Sequence, residues 1–381
     1  MLKRTDDTIL PGETRPASDR VPAALVVADL VAQQIPRAIL VVEDEARADA
    51  IARLATGFAP ATTVIHLVAS DALPGDTTPA SAANIGQRVE ALRRLRIATT
   101  AAGTDNILLI LSAEASAVRY PEPAAFDAVP PAFRVGDAID IDGLPALADT
   151  IGYVIDDRVD EPGEIAIRGN VVDIFPADRA CPVRIEFEDG VITALRSYDP
   201  VTQRSLETLS EIVVGRAREP DLGDGVAVTD HLPDAAIHLD PSVDDRRARF
   251  LSLAADGAER GLKRALVDAK AWARLTTHAV TIATDAPVDP TPRFIERRDP
   301  VRAFRRFAKS VTADGRLVVA GSPRDIRFLA PRLGIAGAPV LSYRDALDAP
   351  IGSLSLLCAP LDQGFVHDGL TIVAAADLLG S

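Results

Sequence analysis

Guanidinium groups are the densest recognition chemistry in this chain. Arg168, Arg184, Arg196 and Arg204 lie along residues 162–209, PGEIAIRGNVVDIFPADRACPVRIEFEDGVITALRSYDPVTQRSLETL. Each planar fork can give paired hydrogen bonds to a carboxylate or phosphate, and a core needs none of them. The stretch therefore reads as a polar recognition surface. Reactive chemistry finds no comparable support. His66, His231, His238, His278 and His367 are scattered without metal-ligand spacing, and no G-x-S-x-G elbow or cysteine–histidine signature occurs. No catalytic residue, cofactor or metal ligand is expected.

The elements carrying these arginines are short strands over 165–167, 171–175, 183–187 and 191–195. Val183, Ile185 and Phe187 alternate with Arg184 and Glu186, the period of a half-buried strand, which sends Phe187 into the core. Asp189-Gly190 reads as a hairpin turn. Before this stretch the pattern alternates helix 24–34, strand 38–42, helix 45–54, strand 63–68, a helix from near Ser81, strand 107–111 and a short helix 112–119. Such alternation predicts a parallel sheet with helices on its faces. A break at Tyr120-Pro121-Glu122-Pro123 precedes a helix over 143–151. A second break over 217–224 leads to strand 236–239 and a long helical stretch, 243–275. After Pro287, Pro290 and Pro292 come helix 301–309, strand 316–320, helix 324–333 and strands 355–358 and 371–374.

The 381 residues carry a net charge of −14, with two cysteines, Cys181 and Cys358. No apolar run nears the ~20 residues needed to span a bilayer, and the N-terminus lacks an apolar signal core. A cytoplasmic protein with no membrane association is expected. A chain this acidic should bind a protein partner, with no strong autonomous DNA binding unless a local basic face exists. Arg302, Arg305, Arg306 and Lys309 form a basic helix face, read as solvated surface or as a nucleic-acid or intramolecular contact. Asp156, Asp157, Asp160 and Glu161 read as a solvated loop, and Trp272 as core.

The order R-G-(x)3-D-I-F-P, P-V-R-I-E-F and S-Y-D-P-x-T-Q-R-S resembles domain 2 of the excision-repair protein UvrB. It is closer still to the equivalent domain of the bacterial transcription-repair coupling factors, the Mfd family. The flanks are similar to the same family. LPGDTTPASAANIGQRVEALRRL resembles its P-x-x-x-x-I-G-x-R-L-x-x-L segment, and CAPLDQGFVHDGLTIVAAADLLG its G-F-V…(D/E)-L-L-G close. The resemblance implies an α/β multidomain chain. Residues 1–20 form a tail. Residues 21–121 and 217–286 form a degenerate UvrB-like, RecA-like parallel-sheet domain. Residues 122–216 are an inserted β-rich docking domain, and 287–381 a small α/β domain.

The implied partner is UvrA, in nucleotide excision repair and transcription-coupled repair, with RNA polymerase a partner only of a longer chain. Arg168 and Arg184 take the places of family docking arginines, and Arg196 and Arg204 extend the same surface. Glu188 stands where the family has an aromatic contact. No Gly-Lys dipeptide of a phosphate loop occurs, and the region expected to hold the loop, 22–34, has no glycine. Pro241 follows Asp240 where a glutamate is expected, so ATP hydrolysis is not expected. The DNA-clamping hairpin is replaced by a short loop, 73–83, without tyrosine. Two other readings stay open: an interaction module with a changed partner, and a divergent nucleotide-binding hydrolase.

Overall fold

The computed structural model describes residues 21–72, 78–101, 103, 106–258, 265–282 and 289–380. The expected tail over 1–20 and residues 73–77 of the short loop lie outside the described residues. Two compact units divide the chain: residues 34–281, and residues 282–381 together with those before Gln34. The helix Ala23–Ala32, which the sequence pattern grouped with the first sheet, is thus part of the C-terminal unit.

Two layers build the unit 34–281. Strands β1 (Arg37–Val42), β2 (Thr63–Leu67), β3 (Ile107–Ser112), β12 (Ala236–Leu239) and β13 (Val280–Thr281) form a wholly parallel sheet, in the order β13-β12-β1-β3-β2. RAILVV and ILLILS are apolar almost throughout because helices cover both faces of such a sheet. Helices Glu45–Phe58 and Ala82–Thr100 are capped by Asp44 and Ser81, whose side chains accept from Arg47 N and Asn84 N.

The helical stretch expected over 243–275 is interrupted. One helix runs Val243–Ala258 and another Ala269–Leu275. Arg119 N donates to Ala265 O (2.7 Å) and Val267 N to Ala117 O (2.9 Å), so Leu266 forms an antiparallel bridge with Val118. Asp268 then starts a new helix by accepting from Ala271 N (2.7 Å). Trp272 is core, with the Arg247 guanidinium 3.9 Å from its ring centroid.

The second layer enters and leaves through paired strands of backbone. Tyr120 N donates to Val226 O (2.9 Å) and Val226 N to Tyr120 O (2.8 Å), so residues between them form an insertion with adjacent ends. Within it, β4 (Ala132–Arg134) pairs with β11 (Glu211–Val213). A six-stranded sheet contains β5 (Val154–Ile155), β6 (Glu164–Arg168), β7 (Val171–Ile174), β8 (Val183–Glu188), β9 (Val191–Tyr198) and β10 (Ser205–Leu209) in simple sequential order. Asp189 and Gly190 both have positive φ, 48° and 76°, as a two-residue type I′ hairpin turn requires. Ile165, Val172, Ile174, Val183, Ile185, Phe187, Ile192 and Leu195 face one core.

In the C-terminal unit β14 (Asp289–Pro290), β15 (Arg316–Gly321), β16 (Leu354–Cys358), β17 (Phe365–His367) and β18 (Leu370–Ala374) form a mixed sheet, ordered β14-β17-β18-β15-β16. Helices Pro300–Val311 and Pro323–Leu333 pack their apolar sides on it. The family-like close of this unit is a structural lock. Buried Asp377 accepts from Gly364 N (2.9 Å), Ala374 N (3.0 Å) and Thr291 Oγ1 (3.1 Å). A Cβ on Gly364 would lie 2.2 Å from Ile372 O, so only glycine fits. Among the described residues, no helix is long and apolar enough to cross a membrane.

His231 is buried between Tyr120 and Phe126, ring centroids 6.2 and 5.8 Å away. Burial pushes its pKa down to about 4. The unfolded chain binds this proton near pH 6.5 and the folded chain does not, so the stability it holds is complete above pH 6.5. That stability falls as pH drops toward 4, by roughly 3 kcal/mol at the limit. Denaturant titrations from pH 7.5 to 4.5 should show the decline, and His231→Phe should flatten it. An unchanged slope in the variant would remove His231 as the cause.

Candidate protein-docking face

Period-two alternation puts the core of the six-stranded sheet on one side and a polar cluster on the other. Asp173, Arg184 and Arg196 are direct cross-strand partners on β7, β8 and β9. Asp173 is only 2% exposed. Arg184 donates to it twice, Nε to Oδ1 (2.8 Å) and Nη2 to Oδ2 (2.9 Å). Arg168 Nη2 reaches Oδ2 at 3.4 Å. One buried carboxylate therefore serves two arginines, closely for one and loosely for the other.

Like charges directly opposite each other destabilise a sheet, and Arg184 faces Arg196. The conflict is resolved sideways: Arg184 takes Asp173, while Arg196 pairs with Glu186. The Arg184 guanidinium also lies 4.8 Å from the Tyr198 ring centroid. Burial, reinforced by the Asp173 charge, pushes the Tyr198 hydroxyl up to about 12, and Asp173 holds Arg184 above its ordinary range. Tyr198 therefore stays neutral, and Arg184 charged, across the physiological range.

Exposure separates the arginines. The side chain of Arg168 is 56% exposed, whereas that of Arg184 is 33% exposed with one edge of its fork committed to Asp173. Arg204 is exposed at the end of the turn after β9 and has no ion pair among the described residues. Asp199 builds that turn, accepting from Val201 N (3.1 Å), Thr202 N (2.6 Å) and Thr202 Oγ1 (2.9 Å). Those bonds hold its pKa below the usual carboxylate value. Gln203, at φ 58°, extends Oε1 to within 3.5 Å of Arg184 Nη2. Glu188 is exposed at the end of β8, opposite Val191, beside the β8–β9 hairpin turn.

Asp173, Tyr198 and Gln203 were not picked out by residue type. The available signal was a charged residue inside the apolar run VVDIF, which needs a buried partner. Phe175 and Phe187 are buried, as the pattern implied.

The insertion is tied to the parallel-sheet layer by the residues of the I-G-x-R segment. A Cβ on Gly86 would sit 2.5 Å from the Ala177 carbonyl carbon, so helix Ala82–Thr100 approaches the D-I-F-P strand end at backbone distance. Arg88, 8% exposed, pairs with Glu219 at 2.5 Å. Tyr153 OH donates to Gly215 O (2.8 Å) and accepts from Ala177 N (2.8 Å).

The carboxyl ends of the parallel strands hold the other candidate region. The turn after the first strand is Glu43-Asp44, leading into helix Glu45–Phe58; the position sought in the sequence at 22–34 is instead the helix of the other unit. A phosphate would need the free amides and positive dipole of this helix start. Asp44 already caps it and Glu45 follows, so the local charge repels an anion. Asp240, 4% exposed, is held by Arg47 through Nε–Oδ2 (2.5 Å) and Nη2–Oδ1 (3.0 Å). The residues present do not fit a nucleotide triphosphate. No group of metal-ligating side chains occurs among the described residues.

Residues 132–219 match the UvrB interaction domain. The chain is also similar to transcription-repair-coupling factors, over spans of 86 to 297 residues. That of Bacillus subtilis is 42% identical over 86 residues, 23% of this chain and 7% of that protein. That of Myxococcus xanthus is 31% identical over 192 residues, 49% and 16% of the two chains. That of Mycobacterium bovis is 28% identical over 297 residues, 76% and 24%. The matched parts are thus no more than about a quarter of these relatives' own length.

Replacing Asp173 by Ala should strand the Arg184 fork. The expected cost is roughly 1–2 kcal/mol, less than for a fully buried pair because water reaches Arg184. Urea denaturation measures it. A variant as stable as the parent would show that Asp173 does not organise this face.

Proposed function

We propose that this chain is a non-hydrolysing, UvrB-like adaptor that docks UvrA in DNA repair, through the polar face of the six-stranded sheet. The observation carrying this reading is the exposed fork of Arg168 beside an Arg184 whose direction is set by buried Asp173. A pre-oriented guanidinium such as that of Arg184 loses little freedom on meeting a carboxylate of a partner, and arginine is enriched among interface hot spots. Arg196 and Arg204 widen the positive surface. The similarity to UvrB interaction domains and transcription-repair-coupling factors supports the partner and the repair context.

Two features support a degenerate RecA-like layer without ATPase activity. Acidic residues occupy the helix start where phosphate would bind, and Arg47 neutralises Asp240. The layer then serves as a scaffold for the inserted sheet, held through Gly86 and Arg88. A changed partner is the second reading, favoured by exposed Glu188, which adds a negative charge to the rim of the arginine face.

Calorimetric titration of UvrA should give binding that falls ten- to hundred-fold in Arg168→Ala/Arg184→Ala, equivalent to about 1.4–2.7 kcal/mol. Undiminished binding by the double variant would discard this face; absence of binding by the parent would discard the partner. Titration with ATP and magnesium should give no heat, and incubation with them no phosphate; a saturable heat would show a nucleotide site, and phosphate release would overturn the non-hydrolysing assignment. Glu188→Phe should tighten UvrA binding if the exposed charge opposes docking, and leave it unchanged if Glu188 lies outside the contact.

A further inference from the structure

We propose that the solvent face of helix Pro300–Val311 docks on the phosphate backbone of duplex DNA. Val301, Phe304, Phe307, Ala308 and Val311 turn toward the core of the C-terminal unit. Opposite them Arg302, Arg306 and Lys309 recur at i, i+4 and i+7, which places them on one stripe about 10 Å long. Arg297 and Arg298 lie exposed just before the helix.

These five cations are all exposed, and none has a carboxylate partner among the described residues. Arg53, Arg96, Arg134, Arg158 and Arg196, by contrast, are ion-paired at partly or fully exposed positions. The neighbouring acids are otherwise engaged: Asp299 caps the helix by accepting from Arg302 N (3.0 Å), and Glu296 approaches Arg293 at 3.6 Å. Arg305 secures the helix to its neighbour, donating to Leu333 O and Arg332 O (both 3.1 Å).

Charge is divided unevenly along the chain. Residues 282–381 carry 12 Lys and Arg against 11 Asp and Glu, while residues 34–281 carry 25 against 39. The overall acidity therefore belongs to the first unit and leaves the stripe free. Duplex DNA offers one phosphate per ~3.4 Å along each strand, so a 10 Å stripe spans about three of them. Arginine forks suit phosphate oxygens. Single-stranded nucleic acid would call for aromatic platforms, and the stripe has none.

Fluorescence anisotropy of the whole chain with a labelled mixed-sequence duplex, in about 50 mM salt, tests the assignment. We expect sequence-independent binding. Arg302→Gln/Arg306→Gln/Lys309→Gln, all surface changes, should weaken it at least tenfold and reduce the log–log salt slope by about 2.7. The control Arg53→Gln/Arg134→Gln/Arg158→Gln should lose less than twofold. No binding by the parent, an unaffected stripe variant, or a control weakened as much as the stripe variant would each overturn the proposal. So would equal affinity for a polyglutamate of matched charge, which would mark the stripe as an acidic-protein contact.

Discussion

A carboxylate cannot be buried in the middle of a sheet without compensation, because losing its water costs several kcal/mol. Asp173 is in that position, and the polar face of the inserted sheet is organised around its need for counter-charge. Arg184 meets most of it through two hydrogen bonds and gives up rotational freedom in doing so. Arg168 supplies a looser third contact and keeps most of its surface in water. The same pairing lets Arg184 and Arg196 sit opposite each other without net repulsion, provided Glu186 balances Arg196. Rigidity at one arginine and freedom at the next follow from one buried charge.

Several motifs that could pass for functional sites are joints. Gly86 permits a helix to touch a strand end at backbone distance, and Gly364 permits a chain to pass over the Asp377 carboxylate. Arg88, although a buried guanidinium, closes on Glu219 and ties the two layers. These positions tolerate little substitution because no space exists for a side chain, or because removal of one charge leaves the other buried. Their chemistry is mechanical.

The carboxyl ends of the parallel strands illustrate how a ligand-binding arrangement can be filled by the protein itself. A helix start ordinarily attracts anions, yet here Asp44 satisfies its amide and Glu45 adds further negative charge. A guanidinium from the same helix then covers Asp240. The two features are complementary: acidic residues at the helix start, and a base beside the buried acid. Together they turn an electrostatically active strand edge into a closed ion-pair network.

Much of the local structure was legible in the residues alone. Apolar runs marked the parallel strands, alternation in VRIEFE separated core from polar face, and Asp189-Gly190 dictated a tight hairpin. The arginines could be assigned to one surface because the period of a strand is two. Other features depended on partners far away in sequence. The phosphate-loop position was sought at 22–34, although the strand over 38–42 and the helix from Glu45 already put the first strand-to-helix turn at Glu43-Asp44, where the structure has it. The helix Ala23–Ala32 joined the C-terminal unit, where Asp29 meets His367 Nε2 at 2.9 Å. The continuous helical pattern over 243–275 yielded to backbone pairing of residues 265–267 with 117–119. Arg47 and Asp240, and Arg88 and Glu219, recognise each other across more than a hundred residues. Composition and periodicity determine which face a side chain takes on its own element. Which buried charge it meets there is decided only when separate elements come into contact, since desolvation penalises every charge left without a partner.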